Sequence, residues 1–300
     1  MTRYPDGYKP IVSFDTSAHN RAESGVVTES TLAAIRETRH IRLVAISVEE
    51  IFSTPDPAKR QGLFAACASL TDAEEMGSDT LAPPNEVIGR LVLAHHENPW
   101  RFDWTKVDVR SREIHDEIRV LDILMNDELS AEQRAGQKNI NARYKQGFTK
   151  LRPTFEKAFA DRNEEHPRTF REALTGFESG NNKFSVTIAK RFYEGIANSK
   201  INRAAANEFL SICPPLLASV HSYLLSMYEH AVRDPRKPSE RFRAGRNDMY
   251  MSAYLPYCDE FVTADTDQAI CLREVVKVTG LHTEVLSLED FIERVNSEGR

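Results

Sequence analysis

Segments with the composition of β-strands occur only near the two ends of this chain. The apolar run IVSF covers residues 11–14, and RLVAIS, rich in β-branched residues, covers residues 42–47. The comparable later segments are FVTAD at 261–265 and TEVLS at 283–287. At each end the strands alternate with helical patterns, as is typical of a parallel sheet. Since neither end is large enough to fold well alone, we expect them to form one sheet of about four strands.

The middle of the chain carries apolar side chains at helical spacing instead. These repeats run from Ile114 to Met125, Ile140 to Phe155, Phe184 to Ile196 and Leu217 to Met227. No repeat of fixed length is apparent, which argues against a solenoid. The sequence therefore predicts an α/β fold with a large all-helical insertion. We place the α/β domain at residues 1–70 and 234–300, and the insertion at 71–233.

Several helices carry recognisable start signals. Thr28 has the side chain of an N-cap at the head of the helical pattern 28–38, and Ser47 is placed to cap a helix that follows the second strand. Pro214 and Pro215 are predicted to open a further helix, because proline is tolerated in the first turn.

Composition excludes several classes of protein. A net charge of −6 and a pI near 5.9 argue against a surface that coats nucleic acid, although a local basic track is compatible with them. The four cysteines show no CxxC spacing, so neither a zinc site nor a disulfide framework is indicated, and we interpret them as buried or idle thiols. The sequence shows no leader and no apolar run of membrane-spanning length, so we expect a cytoplasmic protein.

Acidic residues accompany the predicted strands and helices at four places. Asp15 follows the first strand, Glu50 lies in the helix after the second, Asp248 opens a later helix and Asp265 follows a later strand. Any one of them could be only a helix cap or a turn former. In an open α/β sheet, however, strand ends and helix starts meet at a crevice, so the four can converge. Clustered carboxylates repel one another unless a cation compensates them, and hard oxygen ligands suit Mg²⁺ or Mn²⁺.

These segments resemble the PIN domain, a Rossmann-like family of metal-dependent nucleases. FDTS around Asp15 looks like the first Asp motif of the family, and SVEEI looks like the segment that bears its Glu. Asn247, Asp248 and Ala253 match its later helix, and FVTAD matches its strand that ends in T-x-D. The resemblance covers both ends of the chain but not the middle. Since small members have one short helical segment between these motifs, it implies a large member with a Rossmann-like parallel sheet and a helical insertion.

The resemblance also implies a function and a site. It implies a nuclease that hydrolyses phosphodiester bonds of RNA or DNA and leaves a 5′-phosphate and a 3′-hydroxyl. The implied catalytic and metal-binding residues are Asp15, Glu50, Asp248 and Asp265, with Asp267 as a further contact to Mg²⁺ or Mn²⁺. The hydroxyls of Ser17 and Thr263 would position water, metal or phosphate. Glu49 is an alternative to Glu50, because one residue of helix rotation decides which side chain points inward.

A basic run precedes Asp248. Residues 233–247 include Arg241, Arg243 and Arg246, which are placed to meet a phosphate backbone near the metal. Such a run is more commonly a solvated connection, and both interpretations stay open.

Two other functions are compatible with the sequence. One is a non-catalytic PIN-like interaction protein whose helical lobe binds a protein partner. The other is a phosphatase similar to the haloacid dehalogenases, with Asp15 as the nucleophile. Those enzymes have DxD at that strand, and here Ser17 occupies the second position, which weakens this alternative.

Overall fold

The computed structural model describes residues 5, 7–71, 79–111, 126–162, 165–179, 183–233 and 249–298. Over these residues the chain is mostly helical and contains a small parallel sheet of four strands. This architecture is compatible with the predicted α/β fold that carries a helical insertion. The two predicted domain boundaries adjoin residues 72–78 and 234–248, which lie outside the described part, and they stay a prediction.

The two ends of the chain meet within the sheet. The strands are β1 Ile11–Phe14, β2 His40–Ile41, β3 Glu260–Thr263 and β4 Glu284–Ser287. They lie in the order β2-β1-β3-β4, and all three pairings are parallel. Ser13 is in register with Phe261, which in turn is in register with Val285. The central pair, β1 and β3, therefore joins the first strand of the chain to a strand near its end.

The helices cover both ends and the middle. Those of the ends are α1 Thr16–Arg21, α2 Glu29–Thr38, α3 Ala45–Phe52, α4 Pro57–Leu70, α12 Thr266–Thr279 and α13 Leu288–Glu298. Those of the middle are α5 Pro84–Glu97, α6 Asp127–Thr149, α7 Arg152–Arg162, α8 Phe170–Phe177, α9 Phe184–Ala197, α10 Arg203–Ile212 and α11 Pro214–Met227. Shorter helical pieces are Ala22–Val26, Pro99–Arg101, Trp104–Lys106, Tyr228–Val232 and Met251–Tyr257.

Two predicted helix starts are confirmed. Thr28 caps α2 by accepting a hydrogen bond from the N–H of Thr31, and Pro214 occupies the first turn of α11. The predicted repeat from Ile140 to Phe155 is interrupted, because α6 ends at Thr149 and α7 begins at Arg152. The repeat from Ile114 to Met125 lies outside the described residues.

The predicted strand at 42–47 is wrong. The N–H of Arg42 still bonds to the carbonyl of Val12, but Leu43 and Val44 then leave the sheet and pair with Leu81. The chain becomes helical at Ala45, so Ser47 lies inside α3 and does not cap it. A continuous apolar run fits a buried helix as well as a buried strand, and here the pairing of Val44 with Leu81 takes the chain out of the sheet before α3 begins.

The two faces of the sheet pack against different layers. Phe261 and Val285 point into a large apolar cluster that also contains most of the buried side chains of the middle helices. Their neighbours Val262 and Leu286 point the opposite way, into a second cluster with Phe291 of α13. This alternation is the two-residue period of a strand. Because both faces are covered, the interior positions of the central strands are apolar except for Ser13, which is itself buried.

A buried charge network lies at the amino end of the central strand β3. The side chain of Glu260 is completely buried and accepts hydrogen bonds from Arg39 Nε and Arg294 Nη1, both at 2.9 Å. Arg39 is itself buried, whereas Arg294 is partly exposed and also contacts Glu284. Two arginines from different elements thus compensate one carboxylate on β3.

Among the described residues, no single helix is both long and apolar enough to cross a membrane. The segments Arg203–Ile212 and Pro214–Val232 meet the length and composition criteria only when taken together, and a bend of 106° separates them.

Candidate carboxylate site

The sheet has a topological switch point between β1 and β3. The chain leaves β1 and places β2 on one side of it, whereas β3 returns on the other side. In open parallel sheets, ligands bind in the crevice outside the carboxyl ends of two such strands. Phe14 ends β1 and Thr263 ends β3, so the residues that follow them line this crevice.

Asp15 is the central residue of the crevice. It caps α1, is only 4% exposed, and accepts hydrogen bonds from the N–H of Ala18 at 2.8 Å, from Ser17 Oγ and from Thr263 Oγ1 at 2.7 Å. Burial raises its pKa from 3.8 to about 6, although the three hydrogen bonds act in the opposite direction. The negative charge of Glu50 raises that pKa further. Asp15 is therefore a carboxyl group that titrates not far below neutral pH.

The hydroxyl of Thr263 connects Asp15 to α12. Thr263 Oγ1 lies 2.7 Å from both Asp15 Oδ2 and Gln268 Oε1, and it accepts the N–H of Asp265 at 3.0 Å. A hydroxyl has a single proton and can donate to only one of the two oxygens. When Thr263 donates to the ionised Asp15, the amide of Gln268 must present its nitrogen to Thr263 instead, as a side-chain amide can.

Ser17 ties the ends of the two strands together. Its Oγ donates to Asp15, at 2.9 Å from Oδ1 and 2.8 Å from Oδ2, and accepts the N–H of Ala264 at 2.9 Å. Ser17 and Thr263, which were predicted to position water, metal or phosphate, both already bind Asp15. Their contacts show that they position this carboxylate.

Glu50, and not Glu49, lies beside Asp15. Thr16 Oγ1 donates a hydrogen bond to Glu50 Oε2, and the charge of Glu50 acts on Asp15. Glu49 faces the other way, where its charge adds to burial in raising the pKa of Tyr254. The geometry of α3 thus places Glu50, and not Glu49, near Asp15, while the assignment of a metal ligand stays a prediction.

The other predicted acidic residues are not gathered around Asp15 in the described structure. Asp265 and Asp267 are exposed, and the carboxylate of Asp265 caps α12 by accepting the N–H of Gln268 at 3.0 Å. Asp248 lies outside the described residues, as do Arg241, Arg243 and Arg246. Within the described part of the chain, no three His, Cys, Asp or Glu side chains converge closely enough to hold a metal ion.

Three residues near the site were not predicted. Thr16 follows Asp15 directly, and Gln268 stands at the third position after the helix cap Asp265, where a capping-box residue is common, so both had a local signal. His19 had none. It is completely buried, its ring lies 5.7 Å from that of Phe14, and neither ring nitrogen has a hydrogen-bond partner among the described residues. Burial lowers the pKa of His19 to about 4, so it is neutral in the folded protein.

The donors around Asp15 are compatible with one bound cation. An ionised carboxylate can accept about four hydrogen bonds, and Asp15 accepts one each from Ala18, Ser17 and Thr263. About one acceptor position is therefore left for a metal. Glu50 supplies a second carboxylate beside it, and a cation between the two would offset the repulsion that raises the pKa of Asp15.

Comparison with known proteins found no matching family model, no matching curated protein and no matching solved structure. The function must therefore be inferred from the chemistry of the site itself.

Proposed function

We propose that this protein is a nuclease that depends on a divalent metal and hydrolyses phosphodiester bonds of RNA or DNA. The observation that carries the proposal is the position of Asp15, a buried carboxylate with Glu50 beside it at the switch point of a parallel sheet. Paired carboxylates at such a crevice suit a hard cation that binds phosphate.

Each proposed residue has a defined task. Asp15 and Glu50 would hold Mg²⁺ or Mn²⁺, with Asp248, Asp265 and Asp267 as further contacts implied by the PIN-domain resemblance. The bound ion would lower the pKa of a water molecule and neutralise charge on the phosphate. Ser17 and Thr263 keep the carboxylate of Asp15 oriented, and Thr16 does the same for Glu50.

The finer description of the fold is part of the same proposal. A parallel order β2-β1-β3-β4, with an acidic residue directly after β1 and T-x-D at the end of β3, supports a Rossmann-like, PIN-like domain. We assign to it residues 1–70 and 234–300, and treat 71–233 as the helical insertion.

A calorimetric titration with Mn²⁺ tests the metal site. We expect the wild type to bind Mn²⁺ and Asp15→Asn to lose most of that affinity. Asp290→Asn is a matched control, because Asp290 is an exposed carboxylate near the end of the neighbouring strand β4 and the substitution changes the charge equally. Equal binding by Asp15→Asn and the wild type, or no binding by either, would contradict the proposal.

Nuclease assays follow once metal binding is established. Single-stranded and double-stranded RNA and DNA, each with a label at one end, distinguish the two substrates and internal from terminal cleavage. Asp15→Asn and Asp248→Asn should both abolish cleavage, and Asp290→Asn should not. Cleavage that persists in both site variants would identify a contaminating enzyme and remove the support for catalysis here.

The three arginines that precede Asp248 are proposed to bind the phosphate backbone. Replacing Arg241, Arg243 and Arg246 together by Gln should raise KM, weaken the dependence of KM on salt, and leave the affinity for Mn²⁺ unchanged. An unchanged KM would indicate that this segment is only a solvated connection.

A second candidate function is partner binding by the helical part of a non-catalytic protein. Trp100, just after α5, is 94% exposed, and tryptophan is enriched among residues that dominate protein interfaces. This candidate gains support if the wild type binds no Mn²⁺. It loses support if Asp15→Asn abolishes both metal binding and cleavage.

A further inference from the structure

A second concave site lies among the helices of the middle, separate from the carboxylate crevice. It is a cavity of about 350 Å³ whose walls come from α5, α6, α9 and α11 and from Met249 and Tyr250. None of its lining residues belongs to the set around Asp15. Because the walls come from four helices, the cavity is a pocket and not a groove along one helix.

Aromatic rings form much of the wall. Tyr144, Phe192, Tyr223 and Tyr250 all line the cavity. The rings of Tyr144 and Tyr250 lie 6.3 Å apart, and Phe148 packs behind both Tyr144 and Tyr223 with centroids at 4.9 Å. Rings held in this way present fixed faces and edges to a guest, which favours a flat aromatic one.

The wall carries no charge. Among the described residues that line the cavity, none is Asp, Glu, Lys, Arg or His. A charged ligand would lose its hydration there without a compensating partner, which is costly. The described part of the wall therefore disfavours nucleotides and other phosphorylated molecules, and this separates the pocket from the substrate proposed for the carboxylate site.

A few polar groups remain for orientation. Ser222 Oγ donates to the carbonyl of Met249 at 2.8 Å, and Tyr144 Oη donates to Ser226 Oγ at 2.7 Å, so both hydroxyls are held in place. The hydroxyl of Tyr223 makes no hydrogen bond to the described part of the chain. It can donate to or accept from a ligand.

We propose that this pocket binds a small, uncharged aromatic molecule of about two rings, with one polar group that bonds to the hydroxyl of Tyr223. A cavity of roughly 150 Å³ lined by apolar side chains holds benzene, so a volume of about 350 Å³ suits a fused two-ring molecule. Apolar walls with a few placed hydroxyls are typical of ligand pockets of this size. The proposal does not depend on nuclease activity.

Indole is a suitable probe, since it has two fused rings, no charge and one N–H donor. We expect calorimetry to show saturable binding of about one indole per chain. Ser219→Phe, which fills the cavity, should weaken binding by about tenfold or more. Ser211→Phe is the matched control, because Ser211 lies on the exposed side of α10 and, like Ser219, bonds only within its own helix.

Two further measurements complete the test. Tyr223→Phe should weaken indole binding less than Ser219→Phe does, because it removes only the hydroxyl. Indoleacetate, which adds a negative charge, should bind about tenfold more weakly than indole or not at all. Absence of indole binding by the wild type, or equal binding by wild type and Ser219→Phe, would overturn the proposal.

Hydrogen exchange of the wild type keeps the proposal testable if Ser219→Phe does not fold. Saturating indole should slow amide exchange in α11 and α9, and leave exchange in β1 and β3 unchanged. Binding without slower exchange in α11 would place indole elsewhere and contradict the proposal.

Discussion

Thr263 Oγ1 lies 2.7 Å from Asp15 Oδ2, although 248 positions of sequence separate the two residues. The contact exists because β1 and β3 are neighbours and both end at the same edge of the sheet. Burial has the largest effect on the pKa of Asp15, and the hydroxyl of Thr263, a residue distant in sequence, acts against it.

Asp15→Asn should stabilise the protein at neutral pH in the absence of divalent cations. The pKa of Asp15 is raised from 3.8 to about 6, so the folded state binds this proton more tightly than the unfolded state does. The loss of stability caused by the ionised carboxylate is therefore complete above pH 6, and it vanishes as the pH falls below about 4. In urea titrations with EDTA, the free energy of unfolding should rise by on the order of 1–3 kcal/mol near pH 7.

That gain should shrink steadily between pH 6 and pH 4, whereas Asp290→Asn should show no such trend. A gain that is independent of pH, or a loss of stability at pH 7, would show that burial does not penalise the charge of Asp15.

His19→Leu should remove a loss of stability that the wild type suffers in mild acid. Burial lowers the pKa of His19 from 6.5 to about 4, so the unfolded state takes up the proton first. The contribution of the neutral His19 to the free energy of unfolding is complete above pH 6.5, declines as the pH falls, and is lost below about pH 4. Over this interval, the free energy of unfolding of the variant should rise relative to that of the wild type by up to about 3 kcal/mol, measured by urea titration at several pH values.

This trend runs opposite to that of Asp15, so a single pH profile of the wild type would conceal both. Each variant must be compared with the wild type at every pH. A constant difference between His19→Leu and the wild type would contradict the assigned pKa.

Thr263→Val should raise the pKa of Asp15, because it removes a hydrogen bond that stabilises the ionised form. Since Mn²⁺ binds the ionised carboxylate, the pH at which binding is half complete should rise by about one unit. Thr263→Ser keeps the hydroxyl and should behave like the wild type. An equal shift in both variants would contradict the role of the hydrogen bond, because Thr263→Ser keeps the hydroxyl and loses only a methyl group.

Glu260→Gln should destabilise the protein strongly, since it leaves the buried guanidinium of Arg39 with only the partly exposed Glu298 as a charge partner. The expected loss in the free energy of unfolding is on the order of 3–5 kcal/mol, and 1 M salt should change it little. Glu284→Gln is the comparison, because Glu284 contacts the partly exposed Arg294 and should cost roughly 1 kcal/mol or less. Similar losses for the two variants would contradict the role of burial.

Three of the four strands could be predicted because each is a short apolar run that ends at a polar or acidic residue. The second strand could not be located correctly, because Leu43, Val44 and Ile46 are apolar in a strand or in a buried helix alike. The pairing of Val44 with Leu81 decides between strand and helix, because it takes the chain out of the sheet. No local sequence pattern indicates a pairing partner so distant in sequence.

The centre of the site was predictable for a similar reason. Asp15 and Thr263 each end a strand, and the ends of parallel strands meet. Their partners were harder to predict, since the bond from Thr263 to Gln268 and the burial of His19 depend on which strands and helices become neighbours. The resemblance to the PIN domain implied more acidic residues than the described structure gathers: Asp265 and Asp267 are exposed, and Asp248 lies outside the described residues.

The adjacency of β1 and β3 also has a consequence during synthesis. A ribosome adds roughly 5–20 residues per second, so about 12–50 s pass between the addition of Asp15 and the addition of its partner 248 positions later. Throughout that interval β1 has no neighbour on its β3 side, and the switch point does not exist. A nascent chain therefore cannot assemble the carboxylate crevice, and whatever chemistry the crevice performs is withheld until β3 has been synthesised.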